Sequence, residues 1–197
     1  MNCNDADIIL KFMEYVRHAD TEIFIRSTLF CFGAPTIKGI KAACLINFRR
    51  HKNENMRGLW LKNADKWLEP LGVRWILLNE HEENALVLIY RRELLACALG
   101  CSEACEILKS CGYPLGDLDA CLKCLRKKIC GDFPHEIGLF LDYPPDDVKC
   151  FMENKKCKNQ LRSGYWKVYG NVRKARRTFK KYRRAECDAA RLILSGI

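Results

Sequence analysis

Val73-Arg-Trp-Ile-Leu-Leu78 and Ala85-Leu-Val-Leu-Ile-Tyr90 flank the polar run Asn79-Glu-His-Glu-Glu-Asn84. Two short apolar segments of strand-forming residues around a polar connection predict an antiparallel hairpin. Upstream, Ala42 to Phe48 reads as another strand. On either side the pattern is helical. Residues 54–70 form an amphipathic helix that ends near Pro70, since the residue before a proline leaves the helical region. Residues 91–99 turn helical until Gly100. Helices are expected over 102–111 and 118–130, with Ser102 and Asp117 as N-caps and Gly112 and Gly131 just past the ends.

Further out, residues 5–18 place Ile8, Ile9, Phe12 and Val16 on one helical side. Residues 21–32 fit a helix or a strand equally. Gly33-Ala-Pro-Thr-Ile-Lys-Gly-Ile-Lys41 reads as a loop. Phe133 to Leu141 is expected to be a helix with Pro134 near its first position, and Pro144-Pro-Asp-Asp147 to open the next. Gly164-Tyr-Trp-Lys-Val-Tyr-Gly170 reads as one short strand between glycines. Asn171 caps a long final helix, whose apolar positions Val172, Ala175, Phe179, Tyr182, Ala185 and Ala189 recur at steps of three and four. The expectation is an α+β fold in a single domain, 1–197. It has a small, mostly antiparallel sheet of about three to four strands surrounded by helices. The basic strand–helix segment 155–197 packs on that same domain.

Hydrophobic residues make up 49% of the 197, enough to bury a core and to argue against disorder. No apolar run approaches the ~20 residues of a membrane helix. The acidic start, Met1-Asn-Cys-Asn-Asp-Ala-Asp7, lacks the basic and apolar regions of a secretory signal. A cytoplasmic protein without a transmembrane segment is therefore expected. The thirteen cysteines then read as mostly reduced thiols, many of them buried as small hydrophobes.

The net charge of +10 is concentrated. Residues 155–185 hold 13 Lys or Arg and no acid, whereas the rest of the chain has 21 basic and 24 acidic residues. Only this segment argues for a polyanionic partner. Arg173, Lys174, Arg176, Arg177, Lys180 and Lys181 are the candidate nucleic-acid contacts, with Tyr165, Trp166 and Tyr169 available for stacking. An acidic protein or an anionic membrane surface would suit the same helix, and so would a plain solvated face.

Cys121-Leu-Lys-Cys124, with Cys130 six residues on and Cys97, Cys101, Cys105 and Cys111 upstream, invites a zinc or iron–sulfur reading. Against it, Cys121 shares an apolar helical stripe with Leu118, Leu122, Leu125 and Ile129, so buried thiols are the expectation and no metal is assigned. No Gly-x-x-x-x-Gly-Lys, Gly-x-Gly-x-x-Gly, Gly-x-Ser-x-Gly or His-Glu-x-x-His is present. No motif names a substrate, a cofactor or a reaction, or an oligomeric state.

The Gly33–Lys41 block, the run Phe133-Pro-His-Glu-Ile-Gly-Leu-Phe-Leu-Asp-Tyr-Pro-Pro-Asp-Asp-Val148 and the Gly164–Gly170 block together resemble domain-of-unknown-function family 3793, over nearly the whole chain and in the same order. Its members occur mainly in anaerobic bacteria, so the resemblance implies a bacterial protein. It implies no established activity. The family's first block often carries Cys before Ala-Pro where this chain has Gly33, so a role for that thiol does not transfer.

Three readings follow. The favoured one is a small-molecule or cofactor-binding protein, whether or not an enzyme, that takes a small anionic ligand. Its pocket would be lined by Thr36, Lys38, Lys41, Arg91, His135, Glu136, Lys167 and Tyr169. Cationic groups beside glycines and prolines suit a phosphate or carboxylate. His beside Glu suits proton transfer or ligand orientation, although capping and helix-dipole roles compete. The alternatives are a nucleic-acid binder using the final helix and a thiol or metal protein using Cys97–Cys130.

Overall fold

The computed structural model describes residues 3–52, 54–79, 84–129, 131, 133–153 and 160–196. The hairpin forms as expected: β2 (Arg74–Leu77) and β3 (Ala85–Tyr90) are antiparallel. β1 (Ala43–Phe48) pairs along the other edge of β3, with Ala43 opposite Tyr90 and Phe48 opposite Ala85. The order β1-β3-β2 makes β3 the central strand. This placement explains its uninterrupted apolar run, because both faces of β3 are covered. Ala85, Val87 and Ile89 join one core cluster and Leu88 and Tyr90 another, as the two-residue period of a strand requires.

The first cluster lies under α2 (Thr21–Phe32) and α4 (Met56–Leu68). It is aromatic: Trp60, fully buried, stacks on Phe48 at 5.2 Å and meets Trp67 and Trp75 edge-on. Asn55 begins α4 by accepting from the Gly58 N–H at 2.7 Å, a contact of about 1 kcal/mol. A 3₁₀ turn, Glu69–Leu71, follows at Pro70. Residues 21–32 prove helical. Asp20 caps them by accepting from the Ile23 N–H, and Ile25 and Leu29 reach the sheet cluster.

The second cluster is closed by four helices and α9 (Pro145–Glu153). These are α5 (Arg92–Leu99), α6 (Ser102–Ser110), α7 (Leu118–Ile129) and α8 (Ile137–Phe140). Asp117 caps α7 through the Asp119 and Ala120 N–H groups. The cap of α6 is Cys101, not Ser102, whose hydroxyl turns to Glu103. α1 (Cys3–His18) packs on α2 and on the far end of α10 (Val172–Leu194) through Phe12, Val16, Cys31 and Ala190. Asn171 caps α10 by accepting from the Lys174 N–H.

Three local expectations need correction. The Gly33–Lys41 block is not wholly a loop: Ala34–Ile37 forms one helical turn, α3, started by Pro35. The helix expected over 133–141 shrinks to α8, because Pro134 to Glu136 form a turn ahead of it. The block 164–170 is not a single strand. β4 (Arg162–Ser163) and β5 (Lys167–Val168) form a small antiparallel ribbon that turns at Gly164. A Cβ on Gly164 would lie 2.2 Å from the Phe179 ring, so the turn can approach α10 only without a side chain. Among the described residues no helix is long and apolar enough to cross a membrane.

Candidate functional site

Residues 133–148, the ribbon and the first half of α10 enclose two adjoining cavities. The smaller, about 320 Å³, is lined largely by carbon from Ile137, Leu141, Val148 and Phe151, with His135 and Lys167 at its margin. The larger, about 660 Å³, has Lys174, Thr178 and Lys181 of α10 on one wall and Asp142, Asp146 and Glu103 across it. Tyr143, Asp147 and Trp166 line both and form the partition between them.

The partition is built by hydrogen bonding. Asp147 is buried, and its carboxylate accepts from the Trp166 indole N–H at 2.8 Å and from the Tyr169 and Gly170 N–H groups at 2.8 and 2.9 Å. Three donors to one carboxylate lock the ribbon onto α9 and offset the cost of burying the charge. Trp166 then stacks on Tyr143 at 5.1 Å and meets the Phe179 ring edge-on at 4.5 Å.

Behind the partition lies a buried polar layer. Lys41 is only 5% exposed, and its ammonium sits 5.5 Å from the Tyr143 ring centre and 5.4 Å from that of Tyr182, a cation–π arrangement on two faces. Asp142 accepts from the Ala42 N–H at 3.2 Å and has a left-handed backbone, φ +61°. Burial pushes the Asp142 carboxyl up; that hydrogen bond and the Lys41 charge act against the rise. Glu186, also buried, accepts from the Tyr165 hydroxyl at 2.7 Å and lies 3.5 Å from Arg183. Burial holds its carboxyl above the ordinary range and pushes the Tyr143 phenol up to about 12. Perturbed acids and phenols beside a cleft mark a candidate site.

The expected ligand residues divide into separate groups. His135 and Lys167 come together on Phe151: the His135 ring meets it edge-on at 5.0 Å, and the Lys167 ammonium stands 5.0 Å over its face. Tyr169 contributes its backbone N–H to Asp147. Glu136 points away from His135, into the second cluster, where it accepts from the Tyr113 hydroxyl at 3.2 Å and lies 3.7 Å from Lys128. The two residues are thus no acid–base pair. Arg91 is a backbone clamp: its guanidinium donates to the Thr36 and Ile37 carbonyls. The Thr36 hydroxyl is buried without a partner among the described residues, and Lys38 lies 3.7 Å from Asp188 on α10. Thr36, Lys38, Lys41 and Arg91 line neither cavity.

Lys174 and Lys181, grouped by sequence with the nucleic-acid contacts, line the larger cavity instead. Asp142, Tyr143, Asp147 and Tyr182 escaped the sequence reading. The first three were visible within the Phe133–Val148 block, but nothing in their spacing reveals the pairing with Trp166 and Lys41. Trp166 is buried, and Tyr165 is half-buried against Phe179 and Tyr182, so both rings are engaged in packing.

Several thiols are taken up by backbone carbonyls. The Cys121 Sγ donates to the Pro114 carbonyl at 2.7 Å, and the Cys105 Sγ to the Leu99 carbonyl at 3.4 Å. Burial pushes the Cys121 thiol up, with the neighbouring Cys124 the next cause. No three His, Cys, Asp or Glu side chains among the described residues are grouped to hold a metal. Cys130 lies outside the described residues. Cys31, Cys44, Cys97, Cys101, Cys105, Cys111, Cys121, Cys124 and Cys187 are free, whereas Cys150 is disulfide-bonded.

No curated protein and no solved structure matches the chain. A family model described as a protein of unknown function, DUF3793, matches residues 29–197 and so takes in all three sequence blocks and every wall of both cavities. The chain belongs to the DUF3793 family.

Proposed function

We propose that the paired cavities bind a small organic anion, with its apolar part in the bay beside Phe151 and its charged end toward Lys174 and Lys181. The observation that carries this reading is the shared partition. Tyr143, Asp147 and Trp166 line both the apolar bay and the charged cleft, so the two lie side by side on one set of side chains. A mostly apolar cavity with a few placed polar groups is the usual form of a small-molecule site. His135 and Lys167 at the bay margin and Asp142 in the cleft then orient the ligand.

The test uses 1-anilinonaphthalene-8-sulfonate, an aromatic anion of matching chemistry, titrated into the folded protein at low salt. One saturable site is expected, with quenching or shift of tryptophan emission. The double variant Lys174→Ala with Lys181→Ala should bind roughly tenfold more weakly, a loss of about 1.4 kcal/mol, with an unchanged thermal midpoint. Non-saturating binding, or equal affinity in the double variant, would overturn the reading.

A further inference from the structure

α10 presents a second charged face, distinct from the cavity wall. At about 100° per residue, the spacing of Arg173, Arg177, Lys180 and Arg184 confines all four to an arc of about 60°, in a stripe about 16 Å long. All four are exposed, as is Arg176 on one flank. None of the five makes an ion pair with any described residue. The segment 155–185 contains no acid that would neutralise them. The acids further along α10 are already engaged, Glu186 by Tyr165 and Arg183, and Asp188 by Lys38 and Arg191.

We propose that this stripe docks on the phosphate backbone of a duplex nucleic acid. The remaining faces of the helix decide against the other polyanions. Ala175, Tyr182 and Ala185 are buried in the core, so no apolar row lies beside the stripe to enter a membrane, as an interfacial helix requires. The stripe itself is all Arg and Lys, Tyr165 and Trp166 are engaged in packing, and Tyr169 lies outside α10, so the stripe carries no aromatic row on which a single strand could stack. What remains is charge at regular intervals along a rigid rod, with no reader of base edges. That arrangement fits sequence-independent contact with duplex phosphates. With one side of α10 buried, the helix lies along the backbone and does not enter a groove.

The experiment is fluorescence anisotropy with a 20-base-pair DNA duplex, the RNA duplex of the same sequence and the single strands, from about 50 to 200 mM salt. Five phosphate contacts give a log–log salt slope of about −4.5 on DNA, or roughly 500-fold weaker binding across that range. Arg173→Gln with Arg177→Gln and Lys180→Gln should make the slope shallower by about 2.7. Because these side chains are exposed and unpaired, the circular dichroism of the variant should match the parent. The control Arg26→Gln with Lys62→Gln and Lys66→Gln removes equal charge from other exposed positions and should leave the slope unchanged. Binding to both duplexes, or to one of them, supports the proposal and identifies the partner. Three results would overturn it: no duplex binding at the lowest salt, a slope equally reduced by the control, or single strands bound more tightly than duplex.

Discussion

The sheet and the ribbon pack aromatic side chains by different means. Under the sheet, Phe48, Trp67 and Trp75 all meet Trp60, which is buried with its indole N–H unpartnered among the described residues. Of the indoles there, Trp75 donates to the Asp65 carboxylate, at the exposed edge. Under the ribbon, Tyr143, Tyr165, Trp166 and Tyr182 each meet a polar or charged group: Lys41, Glu186, Asp147 and Lys41 respectively. The first region closes by excluding water from carbon. The second holds charge within the fold and leaves cavities beside it. Stability should therefore be concentrated in the first, and the proposed ligand binding in the second.

The largest test of that division is Trp60→Ala. It should cost about 3–5 kcal/mol in urea unfolding and leave dye affinity unchanged under conditions where the protein is folded. Lys174→Ala with Lys181→Ala should do the reverse, shifting stability by no more than about 0.5 kcal/mol. If the lysine variant unfolds and the tryptophan variant does not, the comparison fails. Next in size is Gly164→Ala, expected to cost about 1–3 kcal/mol by overpacking against Phe179. Adding Phe179→Leu should recover part of that loss, and a double variant no better than the single would place the strain elsewhere.

A smaller effect comes from pH. Burial raises the Glu186 and Asp142 carboxyls in the folded state. Folding therefore favours their protonated forms. Their contribution is fully present below the unfolded carboxyl range of about 4 and is lost as pH rises through the folded values. Glu186→Gln keeps an acceptor for Tyr165 without the charge. It should flatten the decline in stability from acid toward neutral pH and raise the neutral thermal midpoint; an unaltered profile would show that Glu186 is not buried as a charge. The smallest effect is chemical. The exposed Cys97 should react with a thiol reagent in the native state, whereas Cys31, held up at about 12 by burial, should react only on unfolding.

The hairpin, α4 and α10 were legible because their signals are local. The hairpin shows in two apolar runs, α4 in a cap and a proline, and α10 in its helical period. The site was legible only as blocks. His135 and Lys167 were singled out, and each packs on Phe151, which the sequence reading did not single out. Arg91 looked like a ligand cation because nothing in the sequence reveals that the Thr36 and Ile37 carbonyls face it. Glu136 and His135 are neighbours in the chain, but one side chain reaches Tyr113 and the other Phe151. Lys174 and Lys181 were grouped with the arginines because a charge run has no direction until the core fixes which side of the helix is inside.

That last point constrains how α10 can change. Its residues address three environments by angle alone: core, cavity wall and solvent. Substituting one side chain alters one environment. Inserting or deleting a single residue near Lys174 would rotate everything beyond it by about 100°, turning Lys181 off the wall, arginines toward carbon and Tyr182 away from Lys41. The helix thus behaves as a keyed shaft, tolerant of relabelling at individual positions and intolerant of any change in length.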